Sequence, residues 1–183
     1  MRIIGGSLKG KSVFPPAALK ARPTTDFAKE GLFNVLENSR NFESARVLDL
    51  FSGTGSISFE FASRGCPEIH SVEMNPLHAS FISKNAASLG IKGIRVVRHN
   101  VFEFIEICHL DYDIIFADPP YSIEGLDTIP DRILGHTVDV SGTPMLKQGG
   151  VLVLEHPGNY SFSSHPRFVK EKKYGNVHFS FFE

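Results

Sequence analysis

The stretch 112–121 limits most strongly what this chain can fold into. Residues 112–117 form an apolar run with one acid, long enough for a buried strand and too short for a helix. Pro119 and Pro120 then end the strand, because proline has no N–H to donate and a fixed φ. Asp118 thus lies at the carboxyl end of a strand, where open α/β sheets bind ligands. With Tyr121 behind it, the run predicts a site that holds a flat polar ligand between an acceptor and a ring.

The rest of the chain, from Arg46 onward, alternates strand and helix patterns. Short apolar runs predict strands at 47–51, 69–73, 94–97, 112–117 and 151–155. Helical patterns lie between them, and residues 168–173 and 177–182 predict a closing antiparallel hairpin. Repeated β-α units of this kind indicate an α/β fold, with a mostly parallel, doubly wound, Rossmann-like sheet.

The N-terminal part predicts a separate basic extension at 1–44, ahead of a main domain at 45–183. A small β-hairpin is expected at 2–14, and a Thr or Asp cap followed by apolar spacing predicts a helix near 27–36. Residues 1–46 carry eight Lys and Arg against four Asp and Glu, whereas the remainder carries eleven against sixteen. This asymmetry predicts a polyanion-binding arm, with an accidental surface asymmetry as the alternative. Its cationic candidates are Arg2, Lys9, Lys11, Lys20, Arg22 and Lys29.

Asp49 lies at the end of the first strand, and Gly53 and Gly55 lie in the turn that follows. Because glycine has no side chain, this turn allows a ligand to approach the backbone closely. Ser58 stands where a dinucleotide fingerprint needs a third glycine, so that fingerprint is incomplete. Glu73 ends the second strand and can accept both hydroxyls of a ribose, whether of NAD or of another adenosine cofactor. Asn100, after the third strand, can contact an adenine edge or cap a helix, and both interpretations stay open.

With these motifs, Asp118-Pro119-Pro120-Tyr121 resembles the signature of class I S-adenosylmethionine-dependent methyltransferases that modify exocyclic or amide nitrogens. Such a nitrogen is a poor nucleophile, because its lone pair is delocalised. The Asp118 carboxylate and the Pro119 carbonyl are expected to accept hydrogen bonds from its two N–H groups. These bonds favour a pyramidal nitrogen with an exposed lone pair. Preorganised acceptors are what such a reaction needs from a protein, and Tyr121 is expected to stack on the base.

A narrower resemblance covers nearly the whole chain. The runs 2–6, 9–11, 22–26 and 32–34, ahead of the same catalytic motifs, are similar to the bacterial small-subunit ribosomal RNA guanine-N2 methyltransferases. The resemblance implies transfer of a methyl group from S-adenosylmethionine to the N2 amine of a 16S rRNA guanosine, within assembled or partly assembled small subunits. It departs from the family pattern at 122–148, and the stretch 156–166 is too short for the usual helix.

The resulting set of site residues has three parts. The catalytic candidates are Asp118, Pro119, Pro120 and Tyr121. The cofactor candidates are Asp49, Phe51, Gly53, Gly55, Glu73, Asn100 and Asp118. The RNA-binding candidates are Arg2, Lys9, Lys11, Arg22, Thr24 and Thr25. The scattered histidines predict no metal site, and the absence of a long apolar run predicts no membrane span. Cys66 and Cys108 are far apart and lack Cys-x-x-Cys spacing, which is typical of reduced thiols in a cytoplasmic protein.

Two other enzyme classes share part of the pattern. An adenine-N6 methyltransferase acting on DNA or RNA uses the same acid-proline-proline-aromatic logic, and only the N-terminal block argues against it. A nicotinamide-dependent oxidoreductase would use Gly53, Gly55 and Glu73 but leaves 118–121 without a purpose.

Overall fold

The computed structural model describes residues 1–16, 19 and 24–183. Arg22 of the predicted RNA-binding set, and Lys20, lie outside the described residues. The helices are α1 (Asp26–Glu37), α2 (Ser56–Ser63), α3 (Pro76–Ser88), α4 (Val101–Ile107) and α5 (Ile129–Gly135). The strands are β1 (Arg46–Leu50), β2 (Glu68–Val72), β3 (Ile94–Val97), β4 (Tyr112–Ala117), β5 (Leu146–His156), β6 (Phe168–Tyr174) and β7 (Val177–Phe182).

The strands form one seven-stranded sheet in the order β3-β2-β1-β4-β5-β7-β6. The first five strands of this order are parallel, and β7 pairs antiparallel with both β5 and β6. The predicted fold class is therefore confirmed, down to the closing hairpin. In the described part of the chain, no helix has the length and apolar character needed to cross a membrane.

Strand β5 is longer than the sequence predicted, because it continues across Gly149 and Gly150. Tyr112 pairs with Leu146, and Ile114 then pairs with Val151, so the strand register shifts between the two pairs. Gly149 takes a φ of 75° within this irregularity, a conformation that glycine adopts without steric cost. The stretch 122–148 contains one 3-10 turn and α5 ahead of β5.

Apolar clusters cover both faces of the sheet. One face packs α4 and α5 against residues such as Leu48 and Ile115. The other face packs α1 and α2 against the sheet, and Leu32 and Phe33 of α1 are completely buried in the same cluster as Ile114. Helix α1 thus shares the core of the main domain, and a boundary between residues 44 and 45 stays a prediction.

The segment ahead of α1 forms a narrow ribbon. Arg2 and Ser12 make an antiparallel bridge, and the Ile3 N–H donates to the Lys11 carbonyl at 2.9 Å. The ribbon is fixed to α2 by Glu60, whose Oε1 accepts from the Ile4 N–H at 2.9 Å. Lys29 does not belong to a phosphate-binding surface, because it is only 1% exposed and its Nζ lies 2.9 Å from Glu60 Oε1. Its assignment to the cationic arm was wrong.

Candidate active site

The carboxyl ends of β1, β4 and β5 meet at one edge of the sheet. Leu50 pairs with Ala117, and Ala117 pairs with Leu154. The residues that follow them, including Asp118 and Glu155, line one cavity of about 720 Å³. The point where the strand order reverses, between β1 and β4, is where doubly wound sheets place their ligands.

The turn between β1 and α2 has an unusual backbone. Phe51 has a φ of 59°, which is strained for a residue with a Cβ, and Gly53 has a φ of 54°. Both residues line the cavity. Strain of this kind persists only where the surrounding structure enforces it, and it concentrates at ligand sites.

Gly53 and Gly55 have different roles in this turn. Gly55 is the N-cap of α2 and has a φ of 79°, and a Cβ there would lie 2.9 Å from Cγ1 of Ile82. Gly55 therefore allows α2 and α3 to pack closely, whereas Gly53 is exposed to the cavity. The predicted contact of Gly55 with a cofactor stays a prediction. The neighbouring Ser56 Oγ is buried at the cavity wall and, among the described residues, has no hydrogen-bond partner.

Asp49 is a fully buried acid at the cavity wall. Its Oδ2 accepts a short hydrogen bond from Ser58 Oγ, which in turn lies 2.6 Å from Ser71 Oγ. Burial raises the pKa of Asp49 from its ordinary value of 3.8 to about 7, although the Ser58 bond acts in the opposite direction.

The raised pKa of Asp49 predicts a pH-dependent stability. Between about pH 4 and pH 7 the folded chain keeps a proton on Asp49 that the unfolded chain has lost. The stabilising contribution of this group thus falls as pH rises through that range and is lost above about pH 7. We expect Asp49→Asn to raise the free energy of unfolding by roughly 2–4 kcal/mol more at pH 8 than at pH 4. Denaturant titrations at both pH values test this, and an equal change at both would contradict it.

Glu73 connects the first turn to the start of α3. Its Oε2 accepts from the Gly53 N–H at 2.8 Å, and its Oε1 accepts from the Asn75 N–H at 2.7 Å. Both bonds fix the carboxylate at the cavity wall. Because a carboxylate can accept about four hydrogen bonds, this position is compatible with acceptance of ribose hydroxyls.

Asn100 is the N-cap of α4. Its Oδ1 accepts from the Phe102 N–H at 2.9 Å, so the helix-cap interpretation is confirmed. The residue also lines the cavity, and its amide nitrogen lies 4.0 Å from the Met74 Sδ. The oxygen is thus engaged by the helix, and contact with an adenine stays a prediction for the amide nitrogen.

The run 118–121 lies along one wall of the cavity. The Asp118 N–H bonds to the Leu50 carbonyl at 3.3 Å, which extends the β1–β4 pairing by one residue. The Tyr121 hydroxyl donates to Glu155 Oε1 at 3.2 Å, and this bond fixes the direction of the ring.

Glu155 is a cavity residue that the sequence reasoning missed. It is 4% exposed, and its Oε2 also accepts from the Thr24 hydroxyl at 3.4 Å. The available signal was its position, because it ends an apolar strand as Asp118 does. No proline run or aromatic residue follows it to mark a site.

The RNA-binding candidates divide into two groups. Thr24 is buried beside Glu155 and Thr25 caps α1, and both line the cavity. The side chains of Lys9 and Lys11 are exposed on the ribbon. Arg2 is also exposed, but it forms an ion pair with Asp26 at 2.9 Å.

Two histidines that are distant in sequence meet near the end of β5. His178 Nδ1 lies 2.9 Å from Glu171 Oε1, and His156 Nε2 lies 3.9 Å from the same oxygen. His156 also bonds to Ser180 Oγ, and Lys173 forms an ion pair with Glu171. These bonds connect β5, β6 and β7. The side chains of His156, Glu171 and His178 are close enough to share a cation. The expectation that the protein has no metal site stays a prediction.

Comparison with known proteins identifies the family of this chain. The sequence profile of the family described as conserved hypothetical protein 95 matches residues 1–183. The chain belongs to this family. Its similarity to known members therefore covers both the ribbon and the sheet.

Two relatives of this family member carry informative names. Ribosomal RNA small subunit methyltransferase D of Buchnera aphidicola is 28% identical over 100% of this chain and 91% of its own length. The putative rRNA methyltransferase YlbH of Bacillus subtilis is 31% identical over 85% of this chain and 82% of its own length. The resemblance to bacterial small-subunit rRNA methyltransferases is thus confirmed.

Solved structures share the fold of this family member. The putative methyltransferase yhhF of Escherichia coli superposes with a TM-score of 0.81 at 26% identity, over 100% of this chain and 96% of that one. The Thermus thermophilus 16S rRNA N2 G1207 methyltransferase RsmC, solved with AdoMet and guanosine, superposes with a TM-score of 0.66 at 19% identity. That likeness covers 90% of this chain and 44% of RsmC, and it shows the fold alone.

Proposed function

We propose that this chain uses S-adenosylmethionine to methylate the exocyclic N2 amine of a guanosine in 16S ribosomal RNA. The observation that carries the proposal is that the run 118–121 shares one cavity with Asp49, Gly53 and Glu73. A site suited to an amine and a site suited to an adenosine cofactor thus adjoin. The names of the family relatives support rRNA methylation as the activity.

The cavity fits the proposed cofactor in charge and in hydrogen bonding. S-adenosylmethionine carries a sulfonium and an ammonium group, and the carboxylates of Asp49 and Glu73 line the cavity wall. The Ser56 hydroxyl, which has no hydrogen-bond partner among the described residues, offers a further polar contact. When bound, the cofactor supplies an electrophilic methyl group.

Three of the cofactor-binding candidates have a specific proposed contact. Glu73 would hold the ribose, the Asn100 amide nitrogen the adenine, and Asp49 the methionine part. Phe51, Gly53, Gly55 and Asp118 complete the proposed set.

The contribution of the chain to the chemistry is to improve a poor nucleophile. The Asp118 carboxylate and the Pro119 carbonyl would accept the two N–H groups of the amine, which exposes the nitrogen lone pair. Pro119 and Pro120 hold these acceptors in place before the base arrives. Tyr121, oriented by its bond to Glu155, presents its ring to the base. A stacked guanosine must first be flipped out, at a cost of a few kcal/mol.

The experiment that tests the proposal is methylation of unmodified small subunits with labelled S-adenosylmethionine. Nucleoside analysis should yield N2-methylguanosine at a single mapped position. N6-methyladenosine as the product would overturn the choice of base. Preference for NAD over S-adenosylhomocysteine in calorimetry would overturn the methyltransferase assignment. Parallel reactions on protein-free 16S rRNA and on partly assembled subunits would define the substrate.

The exposed lysines of the ribbon provide a prediction about RNA binding. Because each phosphate contact releases counterions, removal of one such contact lowers the slope of log affinity against log salt by about 1. We expect Lys9→Ala/Lys11→Ala to weaken RNA binding and to reduce this slope by about 2, with cofactor affinity unchanged. Filter binding at several salt concentrations measures the slope.

The matched control for this prediction removes two lysines elsewhere. Lys170 and Lys172 are exposed on β6, at the opposite edge of the sheet from β3. Lys170→Ala/Lys172→Ala makes the same change in net charge on a different part of the surface. Equal salt slopes for the two double variants would show that the ribbon does not bind phosphates.

A further inference from the structure

Glu155 is a buried acid beside the proposed amine site. It is 4% exposed and lies next to Asp118, because Ala117 and Leu154, the residues before them, are paired on neighbouring parallel strands. Side chains at paired positions of parallel strands point to the same face of a sheet. Both acids therefore project from the same face, and both line the cavity.

The position of Glu155 is fixed from two directions. The Tyr121 hydroxyl donates to one carboxylate oxygen at 3.2 Å, and the Thr24 hydroxyl donates to the other at 3.4 Å. One donor follows the proline pair, and the other precedes α1. Glu155 also lines the cavity in which the base would lie, and an ionised carboxylate is a strong acceptor for a ligand N–H.

The Watson–Crick edge of guanine suits two neighbouring acceptors. Its N1–H and its N2 amine are adjacent donors, whereas adenine has an acceptor at N1. A carboxylate that faces N1 therefore forms a charge-assisted bond with guanine and repels the lone pair of adenine. The Asp-Pro-Pro-Tyr run alone does not distinguish the two bases, since it only requires an amine.

We infer that Glu155 selects guanine by accepting its N1–H while the N2 amine lies at Asp118 and Pro119. This inference rests on the proposed function, and it adds the residue that determines the choice of base. Asp118 and Glu155 then divide the base edge between them. The reacting nitrogen lies at the acid of β4, and the neighbouring ring nitrogen lies at the acid of β5.

The test compares guanosine with 2-aminopurine riboside at the mapped position of the RNA. 2-Aminopurine keeps the reactive amine but has a lone pair in place of the N1–H. We expect the wild-type protein to favour guanine by roughly 100-fold in kcat/KM. Glu155→Gln can donate its amide N–H to that lone pair, so we expect this preference to fall by about tenfold or more. Because each ratio is measured within one variant, a smaller folded fraction does not change it.

Two further measurements exclude a purely structural role. Tyr121→Phe removes the hydroxyl bond to Glu155 and keeps the carboxylate, so it should lower both rates and leave their ratio unchanged. If Glu155→Gln turns over neither substrate, competition binding of the two RNAs gives the same ratio from dissociation constants. An unchanged guanine preference in Glu155→Gln would overturn the inference. Failure of the wild-type protein to methylate guanine would instead overturn the proposed function.

Discussion

Asp118→Ala is expected to lower kcat/KM for methyl transfer by about 10²–10³-fold or more. The substitution removes an acceptor aimed at the amine, and loss of one preorganised electrostatic contact to the reacting group has an effect of this size in other enzymes. Affinity for S-adenosylhomocysteine should change by less than about tenfold, because Asp49, Glu73 and the first turn are intact. Single-turnover kinetics with labelled cofactor measure the rate, and calorimetry measures the affinity.

Asp113 provides the matched control for Asp118. It lies on the same strand, near the opposite end, where it forms an ion pair with Lys147 at 2.9 Å. Asp113→Asn should affect stability rather than methyl transfer. A rate for Asp118→Ala close to that of Asp113→Asn would remove the basis for assigning the 118–121 run to the amine.

The fold could be predicted from the sequence because the patterns that mark its strands and helices are local. Short apolar runs predicted the five parallel strands, and residues 168–173 and 177–182 predicted the closing hairpin. A Thr or Asp cap marked the start of α1, and in the structure this cap is Thr25. The extra length of β5 could not be predicted from the sequence. Read locally, Gly149 and Gly150 mark the boundary before a strand, and only the pairing with β4 shows that the strand runs through them.

Acidic residues of the candidate site could be predicted from the sequence only where a recognisable motif accompanied them. Asp118 is followed by two prolines and a tyrosine, whereas Glu155 carries no such mark, although both end parallel strands. Its proximity to Tyr121 and Thr24 joins residues 34 and 131 positions apart in the sequence. Contacts over such separations are set by tertiary packing, which strand and helix periodicity does not encode.

The hydrogen bonds of Glu155 also connect the predicted N-terminal extension, 1–44, to the predicted main domain, 45–183. Thr24 belongs to the segment before α1, and Tyr121 to the loop that would receive the base.

The second large effect is expected for Lys29→Ala, which should lower the free energy of unfolding by about 3–5 kcal/mol. Lys29 Nζ donates to Glu60 Oε1 at 2.9 Å and to the Arg2 carbonyl at 2.6 Å, and Glu60 is completely buried. Among the residues that the structure describes, removal of the ammonium leaves Arg64 as the remaining cation at that carboxylate. For a chain of this length the melting temperature should fall by roughly 6–20 °C. Denaturant titration and calorimetry measure both quantities.

Two further variants test whether Lys29 stabilises the fold through a buried ion pair or instead contacts RNA. In Lys29→Met/Glu60→Gln both formal charges of the pair are gone, so much of the lost stability should return. Lys9→Ala, on the exposed ribbon, should change stability by no more than about 0.5 kcal/mol. If Lys29→Ala kept wild-type stability and lost RNA affinity, Lys29 would belong to the cationic arm after all. We expect the reverse, because an ammonium bonded to a buried carboxylate and to a ribbon carbonyl has its donors directed into the protein.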